Sequence, residues 1–172
     1  MITIFRYGHR IERDKRVTTH CALVSRAFGA NKMIYCGQED PRIAENIESA
    51  NSRFGSDFKV EYVKKWEDKL KELKKENIII HLTMYGIQLD ELIKEFKAPK
   101  DKGIVIVVGS QKVPPEVYDL ADYNVSVTNQ PHSEIASLAI ALDRINPDYL
   151  KKDFNGKLKI IPCEKGKKIE EK

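Results

Sequence analysis

The run GIVIVV, residues 103–108, restricts the fold of this chain more than any other segment. Beyond its glycine every residue is apolar and β-branched, so a strand made from it buries both faces. Such a strand needs helices above and below, and the rest of the chain supplies them in alternation. ITIF reads as a buried strand and TTHCALVSRAFG as the helix after it. Thr18 or Thr19 can cap the start of that helix, and Gly29 stands where its end wants a left-handed residue. MIYC is the next strand, and Pro41 opens the helix PRIAENIESANSRF. FKVEYV alternates with period two, and WEDKLKELKKE puts Trp66, Leu70 and Leu73 on one helical face. NIIIHL, the turn TMYG and the helix LDELIKEF precede the central run. A loop and short helix, GSQKVPPEVYDLA, the strand YNVSV, and an amphipathic helix beginning near Ser133 follow it.

Strand and helix repeated in this way specify an α/β fold around a mostly parallel sheet of about six strands. The length of 172 residues suits one core. We read residues 1–162 as a single domain and 163–172 as a charged, loosely ordered tail, with KLKIIP a short further strand before it. A net charge of +4 admits a polyanionic partner without demanding one. Three cysteines with no CxxC fit a reduced compartment, and no apolar run is long enough for a membrane span. A cytoplasmic protein is expected, with no membrane and no DNA partner.

In open parallel sheets ligands bind beyond the carboxyl ends of the strands. Three loops at such ends are rich in hydrogen-bonding groups: HLTMYG, VVGSQKVPP and VTNQPHSE. Each alone reads as an ordinary strand-to-helix turn; all three on one edge point to a medium-sized polar ligand. Several chemistries are excluded. GxGxxG is missing after the first strand, as are GxxxxGK[ST], GxSxG and HExxH, so no dinucleotide fingerprint, phosphate loop, serine elbow or metal site is expected. Cys36 reads as a small buried residue. The other dense region is RYGHRIERDKRVTTH, where Arg6, Arg10, Arg13, Lys15 and Arg16 face only Glu12 and Asp14. It is either a solvated charged loop or a phosphate clamp, because guanidinium forks match phosphate oxygens.

Taken in order, RYGHRIERDKRVTTH, RAFGA, HLTMYG, VVGSQKVPPEVYDLADYNVSV and NQPHSEIASLAIALDR resemble the archaeal tRNA ribose 2′-O-methyltransferases of the SPOUT superfamily, which modify cytidine 56 in the T-loop. The resemblance covers residues 2–161. It implies a C-terminal deep trefoil knot, which no periodicity reveals and which chains generally avoid. It also implies S-adenosyl-L-methionine as methyl donor, tRNA as substrate, and a homodimer in which the last long helix lies at the interface. By the same match the cofactor is lined by Leu82; by Gly109, Ser110, Gln111, Lys112 and Val113; and by Val127, Thr128, Asn129, Gln130, Pro131, His132, Ser133 and Glu134.

Other ribose-methylating members carry an Asn and an Arg inside the first helix, whereas Arg13 and Arg16 are read here as preceding it. Either arginine can grip a phosphate and stabilise charge on the attacking oxygen. Arginine is a poor base, and His20, four residues after Arg16, reads equally as a packed or capping residue and as the proton acceptor. Asn129 positions the ribose or the cofactor, and His132 either does the same or bonds the helix mouth. Arg10, Arg13, Lys15, Arg16 and Arg26 are expected to attract RNA. Two rivals remain open at this point: a tRNA-binding module of the same fold without catalysis, and a SPOUT methyltransferase acting on another RNA site.

Overall fold

The computed structural model describes residues 1–96, 101–110 and 112–172. Six strands form one parallel sheet: β1 (Ile2–His9), β2 (Lys32–Gly37), β3 (Lys59–Tyr62), β4 (Asn77–Gln88), β5 (Gly103–Gly109) and β6 (Tyr123–Ser126). Their order is β3-β2-β1-β5-β4-β6, and every neighbouring pair is parallel. The chain first runs outward from β1 to β3 and then fills the other side, so the order reverses between β1 and β5, a place where open sheets leave a crevice.

Helices cover both faces, as the β-branched run requires. Ile4, Ile80, Ile106 and Val108 pack under α1 (Ile11–Ala27), α2 (Pro41–Phe54), α4 (Leu89–Glu95) and α6 (Glu134–Ile145) through Cys21, Ile43, Leu92 and Leu138. Phe5, Ile79, Val105 and Val107 face α3 (Trp66–Lys74) and α5 (Pro115–Leu120) through Leu70 and Val117. Val105 and Val107 on one face and Ile106 on the other are all 0% exposed, which agrees with a strand buried on both sides.

Two boundaries differ from the sequence reading. The first helix begins at Ile11, so Arg13 and Arg16 lie inside it and neither Thr18 nor Thr19 caps it. Arg10 is the N-cap residue, and the Asp14 carboxylate reaches back to accept from its backbone N–H at 3.0 Å. Glu12 and Asp14 place negative charge in the first turn, where the helix dipole favours it. A charged run was taken for a loop, although Glu, Arg and Lys are good helix formers. Gly29 does take the left-handed conformation, φ 80°, just beyond the helix end.

The other change is in β4, which continues through the expected TMYG turn to Gln88. Leu82 and Ile87 both stand opposite Val125 of β6, so residues 83–86 bulge out between them. Any Cβ on Gly86 would strike the backbone of Asn124 and Val125, which explains a glycine where the two segments press together. After α6 a 3₁₀ turn (Pro147–Lys151) leads to β7 (Leu158–Ile161) and β8 (Lys168–Glu171), which pair antiparallel as a separate hairpin. The sequence suggested one strand in this region; the structure pairs two.

Candidate functional site

The carboxyl ends of β1, β4, β5 and β6 share one edge, and two adjoining cavities open there. The larger, about 670 Å³, lies on the α5 side and is lined by His81, Tyr85, Lys112, Val113, Pro115 and Tyr118 among others. The smaller, about 340 Å³, lies towards α6 and is lined by Val108, Ser110, Pro131, His132, Glu134 and Ser137. Leu82, Thr83, Met84 and Gly109 line both, so together the cavities form a bent cleft around the ends of β4 and β5. Its lining combines apolar residues (Leu82, Val108, Val113) with the carboxylates of Asp119 and Glu134, the imidazoles of buried His81 and exposed His132, and the Lys112 ammonium. That mixture suits a ligand with an apolar ring and charged ends, within the usual range of small-molecule sites.

Of the residues expected at this cleft, Leu82, Gly109, Ser110, Lys112, Val113, Pro131, His132 and Glu134 line it. Gln111 lies outside the described residues. Val127 is half-buried and packs on the core, while Thr128 and Gln130 are exposed and are not among the lining residues. Ser133 caps α6, accepting from the Ile135 N–H at 3.2 Å, and His132 Nδ1 stands 3.2 Å from the Ser133 carbonyl. Asn129 acts as a tie: its amide nitrogen donates to the carbonyls of Met84 at 2.7 Å and Gly86 at 3.3 Å, and Gln88 donates to its oxygen. The loop after β6 is thereby fastened to the β4 bulge.

The basic residues separate into two sets. Arg13, Lys15, Arg16 and His20 are exposed on α1, and Arg16 and His20 share a face of one continuous helix. The side chains of Arg13 and Arg16 make no hydrogen bond or ion pair among the described residues. Arg10, by contrast, is engaged by Asp14 at 2.8 Å and by the Ser110 carbonyl at 3.1 Å. Burial works against the Asp14 charge, but the hydrogen bonds and charge of Arg10 outweigh it and hold the carboxyl below its ordinary range. Arg26, expected to attract RNA, is only 9% exposed at the far end of α1. It donates to Asn51 Oδ1 at 2.7 Å and to the Gly55 carbonyl, and lies 5.3 Å from the Phe154 ring centroid. Its surroundings are structural, and we leave it out of the RNA surface.

Several lining residues escaped the sequence reading. His81 is buried on β4, with Nδ1 2.8 Å from Asn124 Oδ1. Asn124 commits its amide nitrogen to the Tyr118 carbonyl at 3.1 Å, so its oxygen must accept and His81 must donate from Nδ1. Burial lowers the His81 pKa, with the Asn124 bond opposing it, which favours a neutral ring whose Nε2 is an acceptor. Tyr118 bonds Thr83 across the same cavity at 3.1 Å. Arg6, fully buried in β1, donates to the Gly109 carbonyl and to Glu134. The sequence reading puts Arg6 in the charged stretch after the first strand; β1 runs on to His9, so Arg6 lies within the strand and turns inward. The two buried thiols take no part: burial raises the Cys21 pKa to about 11 and raises Cys36 as well. Among the described residues no cluster of His, Cys, Asp or Glu could hold a metal ion, and no helix is long and apolar enough to cross a membrane.

A parallel sheet with this cleft at its edge defines an α/β domain of the kind seen in the SpoU methyltransferase AviRb from Streptomyces viridochromogenes, solved in complex with the cofactor AdoMet. The two superpose with a TM-score of 0.62 at 12% identity, over 87% of this chain and 58% of that one, which establishes a shared fold. A family model described as tRNA ribose 2'-O-methyltransferase, aTrm56, matches residues 54–170. The Thermococcus kodakarensis protein named tRNA (cytidine(56)-2'-O)-methyltransferase is 51% identical over 173 residues, covering 98% of this chain and 96% of its own. A protein of the same name from Pyrococcus horikoshii is 49% identical over 175 residues, covering 99% and 85% respectively. The chain belongs to the aTrm56 family of tRNA ribose 2'-O-methyltransferases.

Proposed function

We propose that this chain methylates the ribose 2′-hydroxyl of cytidine 56 in tRNA, using S-adenosyl-L-methionine held in the bent cleft. Identity of 51% over nearly the whole length of a relative with that name carries the reading. The cofactor supplies an electrophilic methyl on a sulfonium centre. The chain must hold the 2′-oxygen in line with that methyl and take its proton, which is mainly a problem of orientation.

The exposed side of α1 supplies the groups for both tasks. Arg16 or Arg13, whose side chains have no partner among the described residues, grips the phosphate beside the acceptor ribose and stabilises negative charge on the oxygen. His20, on the Arg16 face, accepts the hydroxyl proton. Arg13 and Lys15 add electrostatic attraction for the RNA backbone. Asn129 maintains the third wall of the cleft through the carbonyls of the β4 bulge. Leu23 and Ile140, apolar and exposed on the packed helices α1 and α6, support a homodimer.

The test is to incubate an unmodified tRNA transcript with labelled S-adenosyl-L-methionine and map the product. A single 2′-O-methyl at cytidine 56 is expected. Binding of tRNA without methyl transfer, or transfer to another nucleotide, would reject the reading.

A further inference from the structure

Resting on that reading of the cleft, we propose that Arg6 is a positioning residue for the methyl-transfer reaction. It would lock the Gly109 turn and the head of α6 into one rigid wall and so set the affinity for the cofactor.

Arg6 sits in the apolar face of β1, next to the 0%-exposed Ile4 and Phe5, and is itself 0% exposed. Burying a guanidinium is costly, and an apolar residue of similar volume often stabilises a fold equally well or better. Stability alone is therefore a weak reason for the arginine. Its bonds suggest another. One terminal nitrogen donates to the Gly109 carbonyl at 2.8 Å, and the other to Glu134 Oε1 at 3.0 Å. Gly109 lies at the end of β5 and Glu134 in the first turn of α6, and both line the smaller cavity. Gly109 has no side chain to hold, so its carbonyl is the available handle. The adjoining Ser110 is held by the same junction, its N–H donating to the Tyr7 carbonyl at 2.9 Å and its carbonyl accepting from Arg10 at 3.1 Å.

The fork geometry matters here. A planar guanidinium presents two donors at fixed separation and can hold a carbonyl and a carboxylate together, whereas a lysine ammonium is a point charge on a flexible stem. Because β1 is a central strand, both walls are referred to the most rigid part of the sheet. Rigid support of this kind lowers the ordering cost of binding.

The test uses calorimetric titration with S-adenosyl-L-methionine and thermal melting of the full chain. The double substitution Arg6→Met with Glu134→Leu removes both charges and keeps the volume. The proposal expects melting close to wild type and cofactor Kd weakened by about tenfold or more. Wild-type affinity in a stable double variant would reduce the pair to a structural one and overturn the proposal. Should the double variant fail to fold, Arg6→Lys, which keeps the charge, decides: weakened binding supports the fork, and unchanged Kd overturns it. Wild-type protein that does not bind the cofactor would instead overturn the reading of the cleft, and the clamp with it.

Discussion

The β1–α1 and β6–α6 junctions leave the same edge of the sheet, yet their polar residues go in opposite directions. At β1–α1 the groups nearest the strand turn inward. Arg6 is fully buried, His9 is 1% exposed with Nδ1 2.8 Å from Thr18, and Arg10 is occupied by Asp14 and Ser110. Only once α1 is under way do basic side chains reach solvent. At β6–α6 the residues from Thr128 to Ser133 are exposed, and Asn129 is the one whose side chain fastens the loop to the β4 bulge. The first junction is a frame with a working surface beyond it. The second is a lip held by few contacts. A dense charged stretch is thus not one object, because each residue's distance from the strand decides whether its charge is bound inside or left free.

The strongest way to break this comparison is at the free surface. Arg16→Ala is expected to lower kcat by roughly 10²–10³, as loss of a transition-state donor does, while cofactor Kd stays within about twofold. Equal losses in turnover and cofactor affinity would place Arg16 with the frame. Arg26→Ala tests the opposite end of the same helix: a loss of about 2–3 kcal/mol in denaturant stability with tRNA affinity unchanged. Weaker tRNA binding at undiminished stability would return Arg26 to the RNA surface.

At the lip, Asn129→Ala removes the donors to Met84 and Gly86 and should weaken cofactor binding by about tenfold, measured by calorimetry. An unchanged Kd would mean the lip holds its place without that tie. Smaller again is the electrostatic share of binding. Replacing Arg13 and Lys15 together by Ala should reduce the slope of log K for tRNA against log salt by about 2, and an unaltered slope would remove both from the interface.

The smallest expected effect is a pH dependence of the frame. Burial lowers the pKa of His9, with Asp40 opposing it, and burial likewise lowers His81. The unfolded chain then takes up protons more readily than the folded one as pH falls through about 6.5, the ordinary imidazole value. Their contribution is complete above that pH and declines below it, towards the lower folded values. Asp14 and Asp40, whose folded values are also lowered, lose theirs only in more acidic solution, below about 4. Tm should therefore be lower at pH 5.5 than at 7.5, and the drop should shrink when His9 is replaced by Gln. A Tm that is flat or higher at pH 5.5 would contradict burial of the neutral rings.

Much of the fold was legible because it depends on local periodicity. Each of the six strands lies within its expected segment, the last long helix begins near Ser133 as its pattern suggests, and the left-handed Gly29 follows from short-range chemistry. The start of α1 is hidden because a dense charged run suits a solvated loop as well as the first turns of a helix. The true end of β4 was missed because TMYG looks like a turn unless the neighbouring strand is known. The resemblance places Leu82, Gly109 and Glu134 at the cleft, and HLTMYG already points to the segment holding His81 and Thr83, but their pairing with Asn124 and Tyr118 comes only with the structure. Their meeting depends on contacts between segments some 35 to 43 residues apart.

By itself the sequence determined the class of fold, since a β-branched run such as Ile104–Val108 can exist only as a strand covered on both faces. It also determined, through its ordered motifs, the family to which the chain belongs. The fates of the arginines were decided by tertiary structure alone. Arg6 points into the core against Gly109 and Glu134, Arg10 is tied to Ser110, Arg26 is sealed near Phe154, and Arg13 and Arg16 are left free. The physical reason is that a guanidinium carries the same charge everywhere, and only distant carbonyls and carboxylates, brought close by the folded chain, determine whether it is bound.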